Sequence, residues 1–278
     1  MFFSKFSYKT PGLNSKFSLF VFSILLVFPT CKQTTYLINN PNKHVEYEMG
    51  AIVRGDTLKR SLSLVFTGDE YADGAEHISE VLKMQQIKAA FFFTGNFYRN
   101  TEFEDDIKKL IADGHYLGAH SDRHLLYCDW KKRDSLLLSR KEFIKDLGNN
   151  YLEMKKFGID KEDAPYFLPP YEWYNDSISS WTSGFGLQTI NFSKGTRSHA
   201  DYTTPKMSNY LSSEKIYQSI VDYEAKNLNG LNGFILLIHI GTDPDRKDKF
   251  YYRIEELIIY LKNKGYQFRT LKELLKNS

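Results

Sequence analysis

Cysteine is scarce in this chain, whose 278 residues include only Cys31 and Cys128. Two thiols can form at most one disulfide, which excludes a disulfide framework, so stability must come from a hydrophobic core. Cys128 lies between Tyr127 and Asp129, and no activating signature surrounds it. We therefore interpret Cys128 as a buried structural thiol rather than as a nucleophile.

The body of the chain also lacks an excess of basic residues. The sequence has 37 Lys and Arg against 34 Asp and Glu, and residues 1–30 carry Lys5, Lys9 and Lys16 with no acid. Without those three lysines the chain is neutral. This argues against nucleic acid as a partner, because phosphate binding requires a basic face.

No apolar run is long enough for a comfortable membrane span. The run at residues 17–28 follows a basic, Ser-rich segment, which is typical of an export signal, so we predict a signal peptide at residues 1–30. Residues 28–32 resemble a bacterial lipoprotein box, which would place a lipid on Cys31 as the protein's contact with the membrane. A plain secretory signal and an uncleaved anchor are the alternatives. Each of these predicts an exported protein, and the lipid anchor places it in the cell envelope.

The rest of the chain is predicted to be a polar tether, residues 31–45, followed by one domain, residues 46–278. Within that domain, short apolar runs alternate with amphipathic segments. Strands are predicted at 62–66, 89–93, 116–119, 166–168, 187–192, 233–240 and 266–268, and helices at 76–87, 101–114, 141–157, 176–183, 213–225 and 251–264. Strands buried on both faces and alternating with helices indicate a parallel sheet in an α/β fold. At this length a closed or nearly closed barrel is favoured.

Polar side chains follow several of these strands. Ligands of parallel α/β proteins bind where the strands end, and the residues there include Asp69, Glu70, Thr94, His120 and His239. His124 follows His120 by four residues, and if the strand turns into a helix there, both imidazoles can point to one metal. On this spacing alone, a structural histidine pair is the commoner interpretation.

The order of these features resembles the polysaccharide deacetylase family, the NodB-like carbohydrate esterases. The resemblance covers residues 60–275 and rests on an acidic pair after the first strand, an H-S-x-x-H segment at residues 120–124, a Pro-Pro-Tyr turn and a Leu-Ile-His strand end. It implies a distorted (β/α) barrel of about seven parallel strands. It also implies that His120 and His124 bind a divalent metal, most often zinc and sometimes cobalt or nickel, and that His239 is the general acid.

The first motif departs from the family pattern. Where the family has two aspartates directly after the Phe, this chain has Thr67 and Gly68, and its acids follow two residues later. Our hypothesis is that a wider turn brings Asp69 and Glu70 to the family's two roles, general base and third metal ligand. Asp73 is a competitor for either role. Alternatively, these acids only form a turn or cap the next helix.

The third motif departs as well, because Leu168 stands where the family has the Arg that holds its base. Tyr171 would still donate its backbone N–H to the oxyanion. The three residues that follow are predicted to form a rim that contacts sugar: Glu172, Trp173 and Tyr174. In the long loop after residue 192, Asp201 is predicted to orient His239, and Arg197 to replace the missing Arg. A solvated loop is the alternative there.

These features together predict a metal-dependent hydrolase that removes acetyl groups from a carbohydrate. A carbohydrate-binding lipoprotein that has lost catalysis is the main alternative, because the acids are displaced and the motif Arg is absent. A metallohydrolase acting on a different bond is another, since a fold does not determine a reaction.

Overall fold

A computed structural model describes residues 44–276 of the chain. The predicted signal peptide, the predicted lipid attachment at Cys31 and nearly all of the predicted tether lie outside the described residues, so these predictions stay untested. In the part of the chain that is described, no helix is both long and apolar enough to cross a membrane.

The domain is organised around a parallel sheet of seven strands. The strands are β3 (Ser61–Gly68), β4 (Ala90–Phe93), β5 (Tyr116–Ala119), β6 (Tyr166–Phe167), β7 (Gln188–Thr189), β8 (Phe234–His239) and β9 (Gln267–Phe268). Their order is β7-β6-β5-β4-β3-β8, and β9 pairs with β3. The predicted α/β class and parallel sheet are confirmed.

An antiparallel hairpin that the sequence analysis did not predict precedes this sheet, formed by β1 (Glu46–Glu48) and β2 (Ala51–Arg54). Its second strand fills the gap between the edge strands β7 and β8. The Ile52 carbonyl accepts a hydrogen bond from Asn191 N–H, and Ser193 N–H bonds to Ile235 O at 3.0 Å. The sheet therefore curves into a distorted, nearly closed barrel, as predicted.

The two faces of the sheet carry separate apolar clusters. Leu64 and Phe66 of β3 pack with the surrounding helices, whereas Val65 packs with Phe92 and Leu237 inside the barrel. This alternation follows from the two-residue period of a strand. It also assigns Thr67, two residues after Val65, to the barrel interior.

Helices cover the outside of the barrel. They are α1 (Ala75–Met84), α2 (Gly95–Arg99), α3 (Glu104–Ala112), α4 (Arg140–Lys155), α5 (Asp176–Gly184), α6 (Ser213–Lys226), α7 (Ile254–Asn263) and α8 (Leu271–Leu274). Ser139 and Glu142 form a capping box at α4. The helix predicted to begin at residue 101 begins at Glu104, because Asn100 caps a 3-10 turn, Thr101–Phe103, that precedes α3. Asn is as good a helix cap as Thr, and its side chain reaches the Glu102 N–H.

Candidate active site

The histidines and acids named above lie at the carboxyl ends of the central strands. Asp69 follows β3, His120 follows β5, and His239 is the last residue of β8. Because β3 lies between β4 and β8 in the sheet, Thr67 and His239 are direct partners in the parallel register. The sheet thus gathers these side chains at one end of the barrel, which is where parallel α/β proteins bind ligands.

His120 is buried and its orientation is set by backbone and side-chain partners. Its Nδ1 lies 2.7 Å from the Leu168 carbonyl, and its backbone N–H donates to the Asn150 side chain at 2.9 Å. Since a carbonyl only accepts, Nδ1 carries the hydrogen and Nε2 keeps a free lone pair. Burial and the neighbouring His124 lower the pKa of His120 well below its ordinary value. A neutral imidazole with one free nitrogen is the form that binds metal.

The segment after His120 is a strained turn and not the helix that the four-residue spacing suggested. Ser121 and His124 adopt positive φ angles of 79° and 53°. The buried Asp146 of α4 holds this turn, accepting hydrogen bonds from Ser121 Oγ at 2.7 Å and from Tyr127 OH at 2.8 Å. The pairing of the histidines therefore depends on tertiary contacts with α4.

His124 lies between His120, Asp69 and Tyr171. Its ring centroid is 5.2 Å from that of His120 and 4.3 Å from that of Tyr171, and its Nδ1 is 3.8 Å from Asp69 Oδ2. Burial lowers the pKa of His124 below its ordinary value although the Asp69 charge opposes this. Both histidines are thus held in the uncharged form.

The structure separates the three candidate acids. Asp69 faces the histidines, and its Oδ1 accepts hydrogen bonds from Thr94 Oγ1 at 2.7 Å and Asn96 Nδ2 at 3.2 Å. Glu70 is exposed and lines an open groove of about 820 Å³. Asp73 forms an ion pair with Lys249, with 2.8 Å between Oδ2 and Nζ, and accepts hydrogen bonds from other donors. The wider turn therefore brings only Asp69 to the histidine pair.

The donor set fits the predicted divalent metal in type. His120 and His124 offer neutral imidazoles and Asp69 a carboxylate, the ligands that zinc, cobalt and nickel accept. Within residues 44–276, however, no three His, Cys, Asp or Glu side chains converge closely enough to hold an ion as they stand. Metal ligation by these residues therefore remains a prediction.

His239 is paired with Asp201, as the sequence analysis predicted. Asp201 is buried, and its two oxygens accept from the His239 Nδ1 at 2.6 Å and from the His239 backbone N–H at 2.9 Å. Burial alone would lower the pKa of His239, but the Asp201 charge and hydrogen bond outweigh it and raise the pKa above its ordinary value. The pair can supply a proton near neutral pH.

The Pro-Pro-Tyr turn, a 3-10 segment at Pro170–Glu172, lies next to the histidine pair, because the Tyr171 ring packs on His124. Tyr171 and Glu172 both adopt left-handed backbone, with φ angles of 57° and 52°. Burial raises the pKa of Glu172 to about 7, although the nearby His239 opposes this change. Together with Ser121 and His124, these residues place most of the non-glycine positive φ angles of residues 44–276 at the candidate site, which is where backbone strain commonly occurs.

The predicted sugar-contacting rim is only partly supported. Trp173 is half-buried against the Arg133 guanidinium, 4.2 Å from the ring centroid. Tyr174 is fully buried and donates to the Glu48 carbonyl at 3.1 Å, so its assignment to the rim is wrong. Trp130, which we did not predict, is exposed beside Tyr171 and Trp173, with centroids 5.5 and 5.6 Å away. A tryptophan among charged residues was the signal that could have identified it.

The structure shows where the two residues that depart from the family pattern, Thr67 and Leu168, lie. Leu168 is fully buried in the apolar barrel interior. Thr67 is buried too, and in the described part of the chain its hydroxyl finds no hydrogen-bond partner. Arg197, predicted to replace the missing Arg, is exposed and donates its backbone N–H to Ser219 on α6. The interior at this level therefore has neither of the charges expected from the family.

A distorted α/β barrel with histidines and carboxylates gathered at the carboxyl end of its sheet has the architecture of a barrel enzyme. The sequence profile named Polysaccharide deacetylase matches residues 54–190. Residues 54–190 therefore belong to a polysaccharide deacetylase domain. The matched segment includes Asp69, His120, His124 and Tyr171, and it ends before Asp201 and His239.

Individual relatives are distant. The chain is 25% identical to the peptidoglycan-N-acetylglucosamine deacetylase of Bacillus cereus over 72% of its own length and 80% of the relative's. A CE4 family pseudoenzyme from Bacillus anthracis shares the fold with a TM-score of 0.63 at 19% identity, covering 82% of this chain and 70% of the neighbour. A family 4 acetyl xylan esterase from Clostridium thermocellum, solved with a cobalt ion, has a TM-score of 0.58 at 18% identity, covering 77% and 90%.

Proposed function

We propose that this chain is an exported, metal-dependent deacetylase of an acetylated carbohydrate. One arrangement carries the proposal: a neutral histidine pair beside Asp69 lies at the same end of the barrel as the hydrogen-bonded pair of His239 and Asp201. The first group offers metal ligands and the second offers a proton donor, and hydrolysis of an acetyl amide or ester needs both.

The residues divide the chemistry between them. His120, His124 and Asp69 would hold the metal, for which zinc is the first choice by donor type and cobalt or nickel are alternatives. Such an ion supplies Lewis acidity, which polarises a carbonyl and makes water more acidic. His239 protonates the departing amine nitrogen or alcohol oxygen, and Asp201 keeps its imidazole oriented and charged.

The remaining residues bind the substrate. The backbone N–H of Tyr171 stabilises negative charge on the acetyl oxygen. The exposed rings of Tyr171 and Trp130, with the edge of Trp173, offer apolar faces against which sugar rings can pack. We also propose, from the sequence alone, that a lipid on Cys31 anchors the protein in the cell envelope.

A carbohydrate-binding protein without catalysis is the second candidate. The specific observation in its favour is the interior position of Thr67 and Leu168, which leaves the last residues of β3 without an acid and the end of β6 without an arginine. A pseudoenzyme also occurs among the structural neighbours.

Acetate release separates these candidates. Acetylated chito-oligosaccharides, acetylated xylan and peptidoglycan are each incubated with the purified domain, with chelator-treated protein, and with chelated protein resupplied with Zn²⁺, Co²⁺ or Ni²⁺. The proposal expects release from at least one substrate, loss after chelation and recovery with metal, and His239→Gln serves as the inactive control. Saturable binding with no acetate from any substrate would instead establish the second candidate.

A further inference from the structure

The proposed reaction requires a group that accepts a proton from the attacking water, and the predicted acids do not provide it. Asp69 uses Oδ1 for two hydrogen bonds and directs Oδ2 toward His124, which suits ligation. Glu70 is exposed on the neighbouring groove, and Asp73 is paired with Lys249. The end of β3 has the neutral Thr67 in the interior. The base must therefore come from another strand end.

We propose that Glu172 is the general base of this site. This inference rests on the proposed function. It assigns to Glu172 a role in proton transfer rather than in sugar binding, and it places the base on the turn after β6 instead of at the end of β3.

The backbone is the first support. Glu172 has a φ of 52°, a conformation that is costly for any residue with a Cβ and that glycine adopts freely. The surroundings enforce it: the Glu172 N–H donates to Pro169 O at 3.0 Å, and the buried Asn191 donates to the Glu172 carbonyl at 3.0 Å. Such strain persists where the structure over-determines it, and it clusters at active sites.

The position of the turn is the second support. The Tyr171 ring packs on His124, 4.3 Å between centroids, whereas the next residue, Glu172, interacts electrostatically with His239 and Asp201. The turn thus spans the space between the candidate metal ligands and the candidate acid. A substrate acetyl group held between these two would lie beside this turn.

The charged surroundings are the third support. Burial favours the protonated carboxyl of Glu172, and its pKa of about 7 suits a base that must both take up and release a proton at neutral pH. In return, the negative charge of Glu172 helps to keep His239 protonated, acting with Asp201 and against Arg246. His199 also feels the His239 charge, but burial lowers its pKa to about 4, so it stays neutral.

Glu172 and His239 together account for the proton transfers of the proposed reaction. Glu172 takes one proton from water as the water oxygen forms a bond to the acetyl carbon. His239 gives its proton to the leaving nitrogen or oxygen as the carbon–nitrogen or carbon–oxygen bond breaks, which yields acetic acid and the free sugar amine or hydroxyl. Transfer of the proton from Glu172 to His239 then restores both groups, and the acid ionises in solvent.

The test compares wild type with Glu172→Gln, Glu172→Gly and, as a matched control, Glu162→Gln, an exposed Glu in the loop before β6. Glu172→Gln should lower kcat by about 100-fold or more and abolish the acid limb of the pH profile, with KM, metal content and Tm unchanged. Glu172→Gly should lose activity but melt at a higher temperature, because glycine relieves the left-handed strain. Added formate should restore part of its activity. Glu162→Gln should behave as wild type.

A Glu172→Gln variant within about threefold of wild type, with an unchanged pH profile, would overturn this inference alone. A Glu172→Gly variant that melts lower and does not respond to formate would also count against it and indicate a structural role. A wild-type protein that releases no acetate from any substrate would overturn the proposed function together with this inference.

Discussion

The substitution Asp201→Asn tests the proton donor of the site directly. It removes the negative charge that lies 2.6 Å from the His239 Nδ1 while nearly preserving the shape of the side chain. Loss of a contacting carboxylate should lower the pKa of His239 by about 1–3 pH units. One pH unit corresponds to about 1.4 kcal/mol. Because Asp201 now accepts from both the ring and the backbone N–H, and an amide has one acceptor oxygen, one donor also loses its partner, which costs roughly 1–3 kcal/mol.

The pH dependence of this loss has a definite sign. The pKa of His239 is raised in the folded protein, so its protonation stabilises the fold. That stabilisation is fully present below the unfolded-state pKa of about 6.5 and disappears as the pH rises through the higher folded-state value. The difference in unfolding free energy between wild type and Asp201→Asn should therefore be larger at about pH 5.5 than at about pH 8.5.

Two measurements check this prediction. NMR titration of the His239 ring should show the lower pKa, and the alkaline limb of the activity profile should move to lower pH by the same amount, because the acid must be protonated. Urea unfolding at both pH values gives the stability difference. Asp222→Asn, which removes the partner of Lys226 on α6, is the control and should leave the His239 titration unchanged. An unshifted titration in Asp201→Asn would refute the reasoning.

Further predictions concern the turn, the rim and the metal. Asp146→Ala should lower the unfolding free energy by about 3 kcal/mol, measured by urea unfolding, because Ser121 and other buried donors lose their acceptor; a loss below about 1 kcal/mol would contradict this. Tyr174→Phe should cost about 1 kcal/mol of stability without changing KM, whereas Trp130→Ala should raise KM for oligosaccharides and leave the melting temperature unchanged; the reverse result would place Tyr174 at the rim. His120→Ala should abolish binding of Zn²⁺ in calorimetry, and unchanged stoichiometry would exclude it as a ligand.

Much of the fold was predictable from local pattern. The apolar runs at β3, β4, β5 and β8 are buried on both faces, and this gives them the continuous hydrophobicity that indicates a parallel sheet. The shorter strands were less certain. The strand predicted at 187–192 is reduced to Gln188–Thr189, because the chain after it leaves the ladder to contact β2 and β8. The hairpin β1-β2 was missed because its strands are too short to show a period.

The site was predictable where residue type and order were enough. His120, His124 and Asp69 lie near one another, and Asp201 pairs with His239. Prediction failed where neighbours distant in the sequence decide exposure. Tyr174 belongs to the core because the hairpin carbonyl of Glu48 accepts its hydroxyl, and that hairpin was not foreseen.

The sequence by itself determined the class of this protein: the alternation of apolar runs specifies a parallel α/β sheet, and the order of the motifs indicates a polysaccharide deacetylase domain. Only the tertiary structure decided which acids face the histidines, that the turn after His120 is left-handed, and that the half-buried Glu172 lies near His239. Those outcomes depend on Asp146, Leu168 and Asn191, which lie far along the chain from the groups they position. The hydrophobic pattern of a segment is a local property of the sequence. The burial of a side chain and its protonation state depend instead on the residues that pack against it in the folded protein.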